Sequence, residues 1–141
     1  MDTSKLPLPK PKHRPRTTTR NRSRERVAIG TARAECVERD GPCRVAKAIA
    51  EADNVLIQND LVMAFGECQG RSEWSHYNAT HRRSKTVNRD PEERHTSAHS
   101  LMLCTYHGAE YDQHRMDITE LEPAGCHGRL RFQTAEYTWE E

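Results

Sequence analysis

The stretch AHSLMLCTYHGAEYDQH, which runs from Ala98 to His114, constrains the fold more than any other part of the sequence. Its apolar run SLMLC ends in Cys104, is preceded by His99, and is followed by two further histidines. The run predicts a buried strand or the entry to a helix, and Tyr106 to Met116 after it predict a helix. A strand that leads directly into a helix, with cysteine and histidine at the junction, is typical of a metal site.

Composition supports a small domain that depends on such a site. Of the 141 residues, 34% are hydrophobic and 30% are charged, which predicts one modest domain with a small core. Small cores often need stabilisation by a metal ion. The five cysteines form no regular framework, and the N-terminus has no apolar signal segment, so thiols or metal ligands are expected rather than disulfides. No apolar run is long enough to span a membrane, and a cytoplasmic location is expected.

The N-terminal segment is predicted to be a disordered, proline-rich basic arm over residues 1–24. Residues 1–26 hold nine Lys/Arg against two acidic residues, which leaves the remainder net negative. A basic arm of this kind either binds phosphate backbones or acts as a solubilising tail. For the first interpretation, the candidate nucleic-acid contacts are Arg14, Arg16 and Arg20.

Helices are predicted between this arm and the cysteine-rich part of the chain. Ser23 can cap a helix from Glu25 to Arg39, and Pro42 can begin a second helix over CRVAKAIAEAD. The segment NVLIQNDLVMAFGEC has two short apolar runs around Asn59 and Asp60. These runs predict a hairpin, with a continued helix as the alternative.

Strands and a long polar loop are predicted after residue 70. EWSHY alternates as a short strand, and RLRFQTAEYTW alternates as a final strand. The loop NATHRRSKTVNRDPEERHTS is too long for a compact domain unless it is functional. His81 and His95 fall in this loop and are predicted to be solvated.

This order of elements resembles the HNH endonuclease family, which has the ββα-metal fold. VERDGPCRV, SEWSHY and LMLCTYHGAEYD carry the resemblance, within about residues 37 to 118. The helix motif is similar to a phage-type variant that contains Leu-Cys-x-x-His. The resemblance implies an α+β fold with a small ββα-metal core, preceded by N-terminal helices and the basic arm. The nuclease domain with its helical extension would cover residues 25–141.

The resemblance also implies a chemistry. His76 would be the general base that activates water, the alternative being a half-buried strand residue. His99 occupies the position of the family's Asn and would orient the base, the alternative being an ordinary loop residue. The family acts on DNA with Mg2+ or Mn2+ as cofactor, often in a phage or mobile-element setting and so in the host cytoplasm, and a protein partner could activate it. Phosphate contacts beside the scissile bond would come from Arg82, Arg83 and Lys85.

The metal ligands that the resemblance implies are incomplete in this chain. The motif places a ligand pair at Gly108 and Asp112, and the first of these has no side chain. Either His107 replaces it, or the site moves along the stripe that His107 and His114 share with Glu110. The metal ligands are therefore predicted to be His107, Asp112 and His114. A third alternative is a degenerate metal site.

A structural zinc site is the second metal that the cysteines allow. Cys43, Cys68, Cys104 and His107 supply three thiolates and an imidazole, a ligand set that zinc prefers. Neither CxxC pair of the family is complete, and the alternative is that the cysteines are small buried apolar residues. His107 belongs to both predicted sites, so the two roles compete.

Three functions follow from these alternatives. The first is a metal-dependent DNA endonuclease, an enzyme that hydrolyses phosphodiester bonds through a histidine base and one divalent cation. The second is a catalytically inactive HNH-like protein that binds nucleic acid, which Gly108 favours. The third is a zinc-stabilised adaptor.

Overall fold

The computed structural model describes residues 19–77 and 91–141, and these residues form a mixed α+β fold with two small antiparallel sheets. Two short 3-10 helices, Ser97–His99 and Gly125–His127, accompany the regular elements. The helices are α1 (Thr19–Asp40), α2 (Arg44–Ala50), α3 (Val55–Phe65), α4 (Pro91–Arg94) and α5 (Thr105–Asp112). The strands are β1 (Ser72–His76), β2 (Ser100–Cys104), β3 (Asp117–Glu120), β4 (Leu130–Gln133) and β5 (Thr138–Glu140).

Helix α1 begins earlier than the sequence pattern predicts. Its first residue is Thr19, so residues 19–24 are helical although they belong to the predicted disordered arm. Ala28, Ala32 and Cys36 recur every four residues and are buried, which gives the helix one face against the rest of the fold. Residues 1–18 of the predicted arm lie outside the described residues.

Most of segment 54–68 is the helix α3, so the predicted hairpin is wrong and the alternative of a continued helix is confirmed for Val55–Phe65. The Asn54 side chain accepts a hydrogen bond from Ile57 N at 2.9 Å, which caps the first turn of α3. Leu61 and Phe65, four residues apart, are buried on one face of this helix. The two apolar runs therefore reflect a helical period that Asn59 and Asp60 interrupt only on the exposed side.

Strands β1 and β2 confirm the two strands predicted from EWSHY and SLMLC. They pair antiparallel, with Ser72 opposite Cys104 and His76 opposite Ser100, and all five residues of β2 are buried. Helix α5 follows β2 without a connection and ends at Asp112, four residues before the predicted end. Helix α4 and the 3-10 helix Ser97–His99 lie between the two strands in the described chain.

The second sheet differs from the single final strand that the sequence predicts. A turn divides that segment into β4 and β5, and Thr134 N donates to Tyr137 O at 2.8 Å across it. Strand β3, which the pattern did not predict, pairs with β4. Ile118 is the one buried residue of β3, so the alternation of apolar and polar residues in this strand was too weak to detect.

A continuous core joins α2, α3, α5 and both sheets. It includes residues from each of these elements: Val45, Leu61, Leu103, Tyr111, Ile118 and Phe132. Within the described parts of the chain, no helix combines the length and the apolar character needed to cross a bilayer.

Replacement by alanine should change the free energy of unfolding in opposite directions at two glycines. Gly125 has φ +59°, and a Cβ there would lie 2.3 Å from the Ala98 carbonyl oxygen, whereas a Cβ on the helical Gly30 would meet nothing within 4 Å. We expect Gly125→Ala to reduce the free energy of unfolding by about 2 kcal/mol or more. Gly30→Ala should raise it by about 0.5–1 kcal/mol. Urea unfolding of both variants checks this, and equal effects would contradict the close approach at Gly125.

Candidate metal centre and histidine relay

The side chains of Cys43, Cys68, Cys104 and His107 converge, and we name them the Cys3His group. They come from four places: Cys43 precedes α2, Cys68 lies in the loop before β1, Cys104 ends β2, and His107 is in the first turn of α5. Cys43 occupies the N-cap position of α2 but makes no side-chain capping hydrogen bond. Three of the four members are buried, and Cys68 is exposed.

The spacing of the ligand atoms fits a tetrahedral zinc ion. All four ligand atoms lie within 4.8 Å of one another. The Nδ1 atom of His107 lies 3.6 Å from Cys43 Sγ, 3.6 Å from Cys68 Sγ and 3.0 Å from Cys104 Sγ. Zn–S bonds of about 2.3 Å and a Zn–N bond of about 2.0 Å in a tetrahedron place sulfur and nitrogen about 3.5 Å apart. The group could therefore hold a metal ion such as zinc.

The outer nitrogen of His107 fixes the tautomer that metal binding requires. His107 Nε2 lies 3.1 Å from both the Phe65 and the Gly66 carbonyl oxygens. Carbonyl oxygens only accept hydrogen bonds, so Nε2 carries the proton and the lone pair is on Nδ1. The nitrogen that faces the three sulfur atoms is thus the one able to bind a metal, with the hydrogen-bonded outer nitrogen common in protein metal sites.

Backbone hydrogen bonds bring Cys68 to the start of α5. Thr105 N donates to Arg71 O at 2.9 Å, and Tyr106 N donates to Gln69 O at 3.1 Å. The loop begins at Gly66, which has φ +84° and lies so close to Tyr106 that a Cβ would be 2.7 Å from its ring. A side chain at position 66 would therefore push the loop away from the helix that carries His107.

The electrostatics of the thiols show why this group suits a cation. Cys68 is exposed as a residue, but partial desolvation of its thiol, followed by the neighbouring Cys43 and Cys104, raises the pKa of that thiol well above its ordinary value. Thiolates this close repel one another unless a positive charge lies among them. A bound metal ion supplies that charge and deprotonates its thiol ligands.

The structure brings together the four residues predicted as a zinc site but not the other predicted metal set. Among the described residues, the Cys3His group is the cluster of His, Cys, Asp and Glu whose ligand atoms converge, and it includes His107. Asp112 and His114 are exposed and do not join it. His114 follows the end of α5 with φ +57°, so it leaves the helical stripe on which the sequence placed it. His107 therefore lies beside the three cysteines rather than beside Asp112 and His114.

A second polar arrangement surrounds His76 at the end of β1. His76 Nε2 lies 3.3 Å from His95 Nδ1, and His95 Nε2 lies 3.2 Å from Glu25 Oε1. We name these three residues the histidine relay. The His76 ring also packs on Trp74, with ring centroids 4.6 Å apart. The relay connects β1 to the end of α4 and to α1.

The position of His95 corrects one prediction. It was predicted to be a solvated loop residue, but only 11% of its side chain is exposed because it lies between His76 and Glu25. The predicted orienter, His99, is half-buried, and its backbone carbonyl accepts a hydrogen bond from Tyr77 N at 2.8 Å. No local pattern identified Glu25 or His95, because their contact joins residues 70 positions apart.

Strand pairing separates the relay from the Cys3His group. Ser72 is opposite Cys104 and His76 is opposite Ser100, so the two sites lie at opposite ends of the β1–β2 pair. Four residues of strand correspond to about 13 Å at a rise of about 3.3 Å per residue. A metal in the Cys3His group is therefore too far from His76 to share a ligand sphere with it.

The residues predicted to contact phosphates cannot be placed in either site. Arg14, Arg16, Arg82, Arg83 and Lys85 lie outside the described residues, as does His81. Arg20 belongs to α1, but its side chain is not described. Comparisons with protein-family models, with curated proteins and with solved structures find no match for this chain.

Proposed function

We propose that this chain hydrolyses phosphodiester bonds of DNA with His76 as the general base, and that zinc in the Cys3His group stabilises the scaffold. The histidine relay is the observation that carries the proposal. It gives a half-buried imidazole on the first strand a hydrogen-bonded connection to a carboxylate. This arrangement suits proton abstraction because the carboxylate stabilises the imidazolium that forms.

The proposed reaction needs a base with a pKa near neutrality and a means of binding phosphate. An unperturbed imidazole titrates at about 6.5, so neutral His76 can take a proton from water as the water attacks phosphorus. Near it, the buried Nε1–H of Trp74 and Nε–H of Arg94 have no acceptor among the described residues. Both atoms are shielded from solvent, so in this proposal the phosphate contacts would come from the sequence-predicted basic arm.

In this proposal the zinc ion stabilises the fold and takes no part in the hydrolysis. Zinc sites with four protein ligands are structural, because no coordination position remains open for water or substrate. Mg2+ or Mn2+ would be a second ion, and Mg2+ commonly takes part of its coordination from substrate phosphates. Such an ion would bind with DNA rather than in a preformed cage on α5.

Cleavage of supercoiled plasmid by zinc-loaded protein, with Mg2+, with Mn2+ or with EDTA, tests the proposal. We expect relaxation of the plasmid, and we expect His76→Ala to slow it by about 100- to 10,000-fold, as loss of a general base does. Zinc content and circular dichroism should match wild type, which excludes unfolding. His114→Ala distinguishes the metal arrangements, because loss of cutting in this variant would place the cation on α5. Cutting by His76→Ala at the wild-type rate would refute the assignment of the base.

A second candidate is a zinc-stabilised protein that binds DNA without cutting it. Gly108 supports this candidate, since it removes a side chain from the position where the resemblance expects a metal ligand. The separation of Asp112 and His114 from the Cys3His group supports it as well. A DNA mobility shift that persists in wild-type protein with no cutting under any metal condition would establish this candidate in place of the first. Zinc binding with neither a shift nor cutting would favour the adaptor.

A further inference from the structure

The two ring nitrogens of His95 both have defined partners, which limits where protons can lie in the histidine relay. Nε2 is 3.2 Å from Glu25 Oε1, and Nδ1 is 3.3 Å from His76 Nε2. A carboxylate only accepts hydrogen bonds, so His95 Nε2 must carry a proton. In neutral His95 the other nitrogen, Nδ1, is then an acceptor, and it accepts a hydrogen bond from the Nε2–H of His76.

We propose that Glu25 and His95 are positioning residues that hold neutral His76 with its proton on Nε2, so that Nδ1 is the atom that takes the proton from water. This inference rests on the proposed function for its chemical meaning. The proton count balances: when Nδ1 of His76 gains a proton, its Nε2 proton can pass to His95 Nδ1. The positive charge then lies on His95, in direct contact with the carboxylate of Glu25.

The charges around the relay come from α1 and α4 and are compatible with this role. Arg94, at the end of α4, lies 3.3 Å from the same Glu25 oxygen that His95 contacts. Beside it, Arg24 of α1 pairs with Glu92 of α4 at 2.8 Å. From β1, the uncharged Trp74 ring packs against both histidines. Glu25 is thus the carboxylate of the relay. Glu92 connects the same two helices through Arg24 instead.

The tautomer of His76 can be measured directly by long-range 1H–15N correlation NMR on the zinc-loaded full chain, above the pH at which histidines titrate. We expect wild-type His76 to carry its proton on Nε2. Glu25→Gln should keep this tautomer because the amide oxygen still accepts from His95. Glu25→Ala removes the acceptor and should give a mixture of the two His76 tautomers. Glu92→Gln is the matched control and should behave as wild type.

Cleavage kinetics supply a second readout. We expect Glu25→Ala to lower kcat at least about tenfold with little change in KM, since tautomer and orientation of the base act on the chemical step. A proton on Nδ1 in wild-type His76, or an unchanged tautomer in Glu25→Ala, would overturn the inference. If the tautomers follow expectation but no protein cuts DNA, the positioning by Glu25 stands and the phosphodiesterase proposal fails.

Discussion

Replacing Cys104 with serine should abolish zinc binding and unfold the chain at room temperature. Cys104 supplies a ligand atom from the end of β2 and also accepts a hydrogen bond from the His107 backbone N–H at 3.4 Å, at the start of α5. Its loss therefore affects the metal and the first turn of the helix together. Atomic emission measurement of zinc and circular dichroism at increasing temperature check the prediction.

The expected size of this effect follows from how the Cys3His group connects the fold. Its ligands tie α2, the loop before β1, the end of β2 and the start of α5 to one point. Structural zinc sites contribute about 10–16 kcal/mol of binding free energy. The whole stability of a domain is about 5–15 kcal/mol, so a chain with a small core should not remain folded without the ion.

Cys126→Ala is the matched control for the zinc prediction. Cys126 is buried, as Cys104 is, but lies outside the Cys3His group. Burial raises the pKa of its thiol to about 12, so it behaves as a small apolar side chain rather than a ligand. This variant should keep its zinc and stay folded. A folded, zinc-free Cys104→Ser protein would contradict the structural role of the metal.

Replacing Asp40 with alanine should reduce the free energy of unfolding by about 3–5 kcal/mol, because the largely buried Arg39 loses its carboxylate partner, while Arg44 keeps its pair with Glu141. The Asp40 side chain is fully buried and contacts Arg39 and Arg44, each at 2.7 Å. It also accepts a hydrogen bond from Met102 N at 3.0 Å, which joins the end of α1 to β2. Urea unfolding at neutral pH measures the loss.

Because the pKa of Asp40 is lowered, the free energy of unfolding should depend on pH in the acid range. Burial alone would raise the pKa of Asp40, but hydrogen bonds from Arg39, from the Met102 N–H and from Arg44 hold it below its ordinary value. An aspartate with a lowered pKa in the folded state contributes stability at neutral pH. The pKa of an aspartate in the unfolded chain is about 3.9. The contribution is lost as the pH falls below that value and through the lower pKa of Asp40 in the folded state. Asp40→Ala should therefore lose less stability on acidification than wild type.

Glu140→Ala is the control for the Asp40 prediction. Glu140 pairs with Arg131 at 2.7 Å, but half of its side chain is exposed. Exposed ion pairs contribute roughly 0–1 kcal/mol, so this variant should unfold close to wild type. An Asp40→Ala variant no less stable than Glu140→Ala would show that the buried ion pairs contribute little.

Local patterns were sufficient for β2 and the start of α5, which carry two residues of the Cys3His group. The apolar run that ends in Cys104 fixes β2, and its three-residue spacing to His107 places two ligands at the start of one helix. That Cys43 and Cys68 belong to the Cys3His group was predicted only as one of two alternatives, because neither residue is part of a CxxC pair. Their positions depend on how α2 and the loop before β1 pack, which is long-range information.

The elements that sequence reasoning missed have weak or ambiguous local signals. The two apolar runs in α3 were interpreted as a hairpin, with a helix only as the alternative, although Asn54 before them is a typical helix cap. The histidine relay could not be predicted, since it requires α1 to lie beside the end of α4. The helical stripe expected for His114 also failed, because α5 ends at Asp112.

Zinc K-edge X-ray absorption on the purified wild-type protein tests the central structural claim most directly. We predict a shell of three sulfur atoms at about 2.3 Å and one nitrogen at about 2.0 Å. That result would assign the metal to three cysteines and one histidine and free His76 for chemistry. A shell of nitrogen and oxygen atoms alone would contradict the Cys3His group as the metal centre, and would return the metal to the histidines and carboxylates.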